Sequence, residues 1–169
     1  MNKKTCSITG SCEPFPPPNR SEARLRAALD DVLTALTERE AVTHFLTGLF
    51  PGGDLIAAEQ TLALAGRRPG LTLECVLPFE AQAAHWPEPL RDRYFAAAAR
   101  CARETLLQRH ETPDSRARHS RCLAGRADIL LAVWDGASGP VGYTVGCARA
   151  RGVPVWLLHP DTLTVRRLP

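Results

Sequence analysis

The sequence predicts an α/β fold built on a mostly parallel sheet, and three observations support this prediction. Short apolar runs alternate along the chain with longer segments of helical periodicity, which is the pattern of βαβ units. The run at 129–134 is almost continuously apolar, as is typical of a parallel strand buried on both faces. Glycine-bearing turns follow three of the runs. We therefore expect a three-layer sandwich with helices on both faces of the sheet.

The individual elements follow from local signals. Ser21 is placed to cap the first helix, whose apolar residues recur at helical spacing from Leu25 to Leu36. The proline-rich segment 13–19 lacks too many N–H groups for a helix or a central strand, so we expect a surface loop there. Strands are predicted at 4–9, 41–46, 71–77, 104–108, 128–134 and 153–158, with a short edge strand at 162–168. Helices are predicted from 21, and at 54–65, 88–100, 115–125 and 141–151.

Composition indicates an ordinary globular protein. At 169 residues, the chain is most simply one domain, 1–169, and 44% of its residues are apolar and 23% charged. No stretch approaches the roughly 20 apolar residues that span a bilayer, and no apolar signal core follows the first residues. We expect a cytoplasmic protein without a membrane partner.

The sequence contains no recognisable motif for metal binding or thiol redox chemistry. None of the six cysteines forms a C-x-x-C pair, which excludes a zinc ribbon and a thioredoxin-like motif. The five histidines show no H-E-x-x-H spacing. We therefore predict no metal site.

The glycine-bearing turns are the candidate binding elements. They comprise Thr9-Gly10, the segment from Thr47-Gly48 to Gly52-Gly53-Asp54, and the segment from Asp135-Gly136 to Gly142. In an open parallel sheet such turns meet at the carboxyl edge, beside the point where strand order reverses. Helix N-termini there offer N–H groups and a partial positive charge. The turns predict an anion or nucleotide pocket, although neither a Walker A loop nor G-x-G-x-x-G is present.

Four polar residues in or just after these segments each have more than one interpretation. Asp54 could contact a ligand or cap its helix, and Thr144 could bind a phosphate or cap the next one. Asp135 could serve the site at a strand end or close an Asp-Gly turn. Glu59 could bind a ribose hydroxyl, activate water, or form a salt bridge with an arginine.

The motifs together resemble the YpsA-like family of the SLOG superfamily. The resemblance covers nearly the whole chain in the right order. Its pieces are 5–10, 43–48 with 52–59, 78–82 with Trp86-Pro87 and Arg93-Tyr94, and Asp128 with 132–136 and 142–144.

The resemblance implies a Rossmann-like fold and a pocket for a nucleotide or a nucleotide-derived molecule, such as ADP-ribose or an NAD-related species. Related families include Lonely Guy-type phosphoribohydrolases and the DNA-processing protein DprA. The YpsA-like branch supplies no settled reaction, so the resemblance implies no certain cofactor.

The chain departs from the family pattern at two places. Relatives tend to read T-G-H-R-P at the first turn, where Ser11 and Cys12 replace the histidine and arginine. Relatives tend to show Arg-Asn before the fifth strand, where His119-Ser120 stand here. Arginine contacts phosphate in a bidentate manner that serine or cysteine cannot reproduce. Arg118 or Arg121 could compensate from neighbouring positions.

The leading hypothesis is a sensor or regulatory protein that binds a nucleotide-derived small molecule. Its predicted ligand-binding residues are Thr9, Gly10, Gly48, Gly52, Gly53, Asp54, Glu59, Asp135, Gly136, Gly142 and Thr144. An alternative is a nucleotide N-glycosidase in which Glu59 is the catalytic acid/base.

A second alternative is single-stranded DNA binding of the DprA type. The net charge of only +3 and the ten aromatic residues (three Trp, two Tyr, five Phe) argue against it, so we do not expect nucleic acid as a partner. An interaction role with a decayed pocket also stays open. Alanine-rich helix faces such as 96–99 would suit a homo-oligomer as well as packing on the sheet.

Overall fold

The computed structural model describes residues 3–10 and 21–168, whose strands form one seven-stranded sheet. The strands are β1 (Lys4–Thr9), β2 (Val42–Thr47), β3 (Thr72–Leu77), β4 (Arg103–Leu106), β5 (Ile129–Val133), β6 (Val155–Leu158) and β7 (Val165–Leu168). Their spatial order is β4-β3-β2-β1-β5-β6-β7. All neighbours run parallel except β6 and β7, which are antiparallel. The predicted α/β fold with a mostly parallel sheet is confirmed.

Five helices cover the two faces of the described sheet. They are α1 (Glu22–Arg39), α2 (Gly53–Arg67), α3 (Glu88–Arg100), α4 (Ser115–Arg126) and α5 (Pro140–Ala150). The first three share the largest apolar core with one face, through residues such as Leu29, Leu55 and Phe45. α4 and α5 cover the other face, where Leu123 packs on Leu46 and Val76. The result is the expected three-layer sandwich.

The strand order reverses beside β1. The chain builds outward from β1 through β2 and β3 to β4, then returns to place β5 on the opposite side of β1. Ile8 of β1 is in register with Leu131 of β5, and Cys6 is in register with Phe45 of β2. The carboxyl ends of β1 and β5 therefore flank the crevice in which open α/β sheets bind ligands.

Local signals place most element boundaries within a few residues of those observed. Ser21 caps α1 as expected, its Oγ accepting a hydrogen bond from the Arg24 N–H at 3.2 Å. β4 spans Arg103–Leu106 rather than 104–108, and β7 is shorter than the predicted 162–168. Of the helices in the described ranges, none is long and apolar enough to cross a membrane.

Part of the arginine-rich stretch at 100–126 has a structural role. Arg126 donates two hydrogen bonds, of 2.7 and 2.9 Å, to Glu74, a buried carboxylate of β3. His44 and Thr105 also contact this carboxylate. Hydrogen bonding from Arg126 lowers the pKa of Glu74 to about 2, so the buried charge is paired, as such charges must be.

β1, α2 and β5 meet too closely for side chains at two glycines. The Gly53 N–H donates to the Gly10 carbonyl at 2.6 Å. A Cβ at either glycine would lie 2.8 Å from the Val133 Cβ, closer than real Cβ atoms approach one another. These glycines therefore permit the start of α2 to seat directly on the ends of β1 and β5.

We expect Gly53→Ala to destabilise the protein by about 1–3 kcal/mol, because the added methyl overpacks this junction. Gly66→Ala is the matched control, since it lies on the same helix with open space around it. The control should stabilise by up to about 1 kcal/mol through helix propensity. Chemical denaturation measures both changes, and equal free energies of unfolding for the two variants would contradict the close contact.

Candidate functional site

A small cleft lies where the strand order reverses, as the sequence predicts for a binding site. Its volume is about 270 Å³, including space open to solvent. Four elements and the segment before α2 supply its walls. The lining residues are Thr9, Phe50, Asp54, Arg116, His119, Ser120, Pro140 and Thr144.

Asp54 is the acidic residue of this cleft. It lies in the first turn of α2 with only 2% of its surface exposed. Its Oδ1 is buried and has no hydrogen-bond partner among the described residues. Burial raises the pKa of Asp54 to about 7, although hydrogen bonds from the Gly10 and Phe50 backbones and the positive charge of Arg116 oppose this. Asp54 therefore has one carboxyl oxygen without a partner among the described residues.

His119 is a neutral part of the cleft wall. Its Nε2 lies 2.8 Å from the Val76 carbonyl, which can only accept, so Nε2 carries the proton. Burial lowers the pKa of His119 to about 4, and the charge of Arg116 adds to this effect. A Cβ on Gly48 would lie 2.5 Å from the His119 ring, so Gly48 makes room for this side chain.

Two hydroxyl groups on α4 and α5 form a pair in the cleft. The Thr144 Oγ1 lies 2.8 Å from the Ser120 Oγ and 2.9 Å from the Pro140 carbonyl. Thr144 has one hydroxyl hydrogen, so it can donate to only one of them. When Thr144 donates to Ser120, the Ser120 hydrogen is available to an anion in the cleft. Thr9 places a third hydroxyl-bearing side chain on the wall.

Arg116 supplies the positive charge. Its guanidinium carbon lies 4.3 Å from the centre of the Phe50 ring, a cation–π distance. The Phe50 ring also packs edge-on against His119. An exposed arginine held at the mouth of a cleft by an aromatic ring is well placed to contact an anionic ligand.

The arrangement suits an anion rather than a metal ion. Hydroxyl groups, a guanidinium and two helix N-termini surround the cleft, and such groups donate hydrogen bonds to oxyanions. Within the described ranges, no group of three or more His, Cys, Asp or Glu side chains could hold a metal. Asp54 is the one carboxyl group among the described lining residues.

The predicted ligand-binding residues lie at different distances from the cleft. Thr9, Asp54 and Thr144 line the cleft. Gly10, Gly48 and Gly53 lie beside it, where a Cβ would strike neighbouring atoms. Gly52 precedes α2 with a φ of 106°, a conformation that favours glycine. The Gly53 N–H is engaged by the Gly10 carbonyl, so it is not free for a phosphate in this arrangement.

The third glycine-bearing turn, from Asp135 to Gly142, lies outside the cleft. Asp135 is exposed, and its Oδ1 accepts a hydrogen bond from the Ala137 N–H at 2.9 Å. This is the Asp-Gly turn that the sequence offered as one interpretation. Gly136 has a positive φ and open space around it, and Gly142 packs against Trp134 and Ala137. None of the three lines the cleft.

Glu59 lies outside the cleft lining and forms salt bridges. Arg93 donates to both of its carboxylate oxygens at 2.8 Å, and Arg26 donates at 2.7 Å. Both arginines also bond Glu22 of α1. Burial alone would raise the pKa of Glu59, but the two arginines lower it below its ordinary value. The pairs join α1, α2 and α3, as the salt-bridge interpretation of this residue expected.

Sequence reasoning missed Phe50, Arg116 and Pro140. The spacing Arg116-His119-Ser120 places these residues on one face of α4, which was a usable signal. Nothing in the sequence distinguished Arg116 from the other arginines of the stretch at 100–126. Arg118 and Arg121, the expected compensating residues, do not line the cleft. Ser11, Cys12 and the whole proline-rich segment 13–19 lie outside the described residues.

A known protein resembles this chain in sequence over about two thirds of its length. No protein-family model matches the chain. The UPF0398 protein YpsA of Bacillus subtilis (strain 168) is 29% identical over 121 residues, which cover 68% of this chain and 67% of YpsA.

Two solved structures of DNA processing protein A share the fold. DprA from Streptococcus pneumoniae superposes with a TM-score of 0.60 at 14% identity, over 92% of this chain and 50% of that one. DprA from Helicobacter pylori gives 0.61 and 14%, over 92% and 65%. The chain thus spans about half to two thirds of the length of these DprA chains.

Fold and site define a Rossmann-like protein with a donor-rich cleft at the reversal of its strand order. More particularly, the predicted resemblance to the YpsA-like family is confirmed. The chain is a homologue of YpsA with a DprA-like fold.

One expectation is contradicted by these comparisons. We did not expect nucleic acid as a partner, yet the fold neighbours include a DprA described by its single-stranded DNA binding mode. The expectation was wrong because net charge averages over the whole chain. Local surfaces, such as the exposed Arg116, Arg118 and Arg121 of α4, can be basic when the total is small.

Asp54 should make stability depend on pH. Its pKa of about 7 in the fold exceeds the ordinary 3.8, so the fold favours the protonated form. The stabilisation that the protonated Asp54 carboxyl gives the fold is fully present below about pH 4 and is lost as pH rises through 7. We expect the free energy of unfolding of Asp54→Asn, relative to that of wild type, to increase by up to about 4 kcal/mol between pH 4 and pH 8. Urea denaturation at both pH values measures this difference, and a constant difference would contradict the buried carboxyl.

Proposed function

We propose that the protein binds a nucleotide or a nucleotide-derived ligand and holds a phosphate group of that ligand in the cleft. The observation that carries the proposal is the cleft wall itself. Hydroxyl groups of Thr9, Ser120 and Thr144 and the guanidinium of Arg116 converge there, beside the N-termini of α2 and α5. Arg116 and the Ser120 hydroxyl can donate to phosphate oxygens, while Thr144 donates to Ser120.

The cleft is small and partly open to solvent, so at most the phosphate group of a ligand would enter it. The sugar and base would then lie over the mouth. The DprA-like fold supports a ligand of the nucleotide or nucleic-acid class. ADP-ribose and NAD stay among the ligands to be tested.

Substitution of Arg116 tests the proposal. We expect AMP, ADP, ADP-ribose or NAD to raise the unfolding midpoint by about 5–10 °C at a hundredfold excess over Kd. Arg116→Ala should weaken that binding about tenfold or more, because a charge-assisted contact to phosphate is lost. Arg149→Ala, an exposed arginine in the last turn of α5, should leave the affinity unchanged. Absence of any shift, or equal effects of the two variants, would contradict the proposal.

The same samples test hydrolysis. A nucleotide N-glycosidase would release free base, which chromatography detects, and Glu59→Gln would abolish the release. The geometry offers less for this reaction, because both oxygens of Glu59 are engaged by Arg93. We propose a binding function on this ground.

Single-stranded DNA is a second candidate, favoured by the surface next to the cleft. Arg116, Arg118 and Arg121 are exposed on α4. Arg121 donates to the Tyr143 hydroxyl at 3.2 Å, and Tyr143 is 45% exposed on α5. Guanidinium groups with an exposed aromatic ring are what unstacked nucleotides bind.

This candidate makes a different prediction from a lone nucleotide. Short oligothymidylate should bind with an affinity that falls about 20-fold between 50 and 200 mM salt if three phosphates are neutralised. The double variant Arg118→Ala, Arg121→Ala should reduce the salt dependence while AMP binding persists. Fluorescence anisotropy measures both, and unchanged oligonucleotide binding in the double variant would contradict this surface.

A further inference from the structure

The turn at residues 48–50, between β2 and α2, holds one residue in a strained conformation. Leu49 has a φ of 57°, in the left-handed region that is unfavourable for a bulky side chain. The other non-glycine residues of the described ranges with a positive φ, Ala41 and Leu163, each lie just before a strand. Leu49 is fully buried and is followed by Phe50, which lines the cleft. Strain of this kind persists only where surrounding contacts impose it, and it is concentrated at functional sites.

Gln82, in the segment between β3 and α3, supplies one of the contacts that hold this turn. Its Nε2 donates a hydrogen bond of 2.7 Å to the Gly48 carbonyl. That carbonyl belongs to the peptide group that joins Gly48 to Leu49, so the bond restrains the φ of Leu49 directly. Only 6% of the Gln82 surface is exposed, and its Oε1 has no hydrogen-bond partner among the described residues. The bond to Gly48 is therefore the main polar contact that the buried amide makes.

The same turn places the Phe50 ring in the cleft wall. The centre of this ring lies 4.3 Å from the Arg116 guanidinium carbon and 5.5 Å from the centre of the His119 ring. His119 is itself fixed to β3 through the Val76 carbonyl. The Phe50 ring thus lies between a fixed imidazole and the guanidinium that it supports. A rotation in the turn would move this ring and remove the surface on which Arg116 rests.

Resting on the proposed function, we propose that Gln82 is a positioning residue for the cleft. By holding the Gly48 carbonyl, it keeps Leu49 strained, and the strained turn places the Phe50 ring beneath Arg116. Gln82 does not line the cleft, so it acts on a ligand only through these contacts. Without its hydrogen bond, Leu49 can rotate to an ordinary φ. The ligand phosphate then loses a well-placed charged donor.

Gln82→Met tests the first contact, because it removes the donor and keeps a side chain of similar size. The probe is whichever of AMP, ADP, ADP-ribose and NAD gives the largest thermal shift with wild type. By titration calorimetry we expect Gln82→Met to weaken binding of this probe about five- to tenfold. The unfolding midpoint should change by less than about 5 °C, since relief of strain at Leu49 offsets the lost hydrogen bond.

Thr61→Val is the matched control for this variant. It also removes a buried hydrogen bond of 2.7 Å to a backbone carbonyl, that of Ala57, but within α2. Its affinity for the probe should equal that of wild type. Equal affinities of wild type and Gln82→Met would overturn the inference, as would equal losses in Gln82→Met and Thr61→Val.

A double-mutant cycle with Arg116→Ala separates positioning from a general effect on the fold. If Gln82 acts through Arg116, the double variant should bind the probe within about twofold of Arg116→Ala alone. Independent effects would multiply to a loss of about 50-fold or more, and this result would overturn the inference.

Two further variants keep the test decisive if Gln82→Met does not fold. Gln82→Glu has the same shape and cannot donate when ionised, so the same loss of affinity is expected. Phe50→Leu leaves Gln82 intact and removes the ring beneath Arg116, so it should weaken binding about as much as Arg116→Ala. Unchanged binding in Phe50→Leu would break the chain of contacts and overturn the inference.

Failure of the inference and failure of the proposed function give different results. If wild type binds the probe and the Gln82 variants bind it equally well, the inference fails and the proposed function survives. If wild type binds none of the four nucleotides, both fail together.

Discussion

The close junction of β1, α2 and β5 is the constraint on which the site depends. The Gly53 N–H bonds the Gly10 carbonyl at 2.6 Å, and the Val133 Cβ lies where a side chain on either glycine would be. This contact fixes the start of α2 against the reversal point of the sheet. Asp54 follows Gly53 directly, so the same contact buries its carboxyl at the bottom of the cleft. The glycines therefore act through packing, and the side chains next to them carry the chemistry.

Burial of the Asp54 carboxyl lowers the stability of the fold. Its pKa of about 7 means that the ionised form destabilises the folded state at neutral pH. Glu74 provides the contrast within the same sheet, because Arg126, His44 and Thr105 satisfy its carboxylate. The protein can thus pair a buried acid fully where the role is structural. An acid left without a partner at the reversal of strand order is the pattern expected of a ligand contact.

Sequence patterns predicted the fold well because hydrophobic periodicity and turn residues are local signals. The apolar run at 129–134 and the Ser21 cap both correspond to observed structure. The candidate site was predicted in part, since Thr9 ends β1 and Asp54 and Thr144 lie in the helices that follow β2 and β5, whose convergence the topology dictates. The role of Arg116 was not predictable, because it depends on how α4 packs and on the position of the Phe50 ring. The partners of Glu59 were likewise hidden, since Arg26 and Arg93 lie more than thirty residues away along the chain.

Replacement of the histidine and arginine of the first turn does not remove positive charge from the site. Arg116 reaches the cleft from α4, on the opposite face of the sheet from α2, and Phe50 holds its guanidinium there. Charge supplied from α4 also lies next to the exposed Arg118 and Arg121. A ligand phosphate bound in the cleft would therefore direct the rest of its molecule toward α4 and α5. Under the proposed function, the cleft would bind the phosphate group, and the exposed arginines of α4 would lie beside the rest of the ligand.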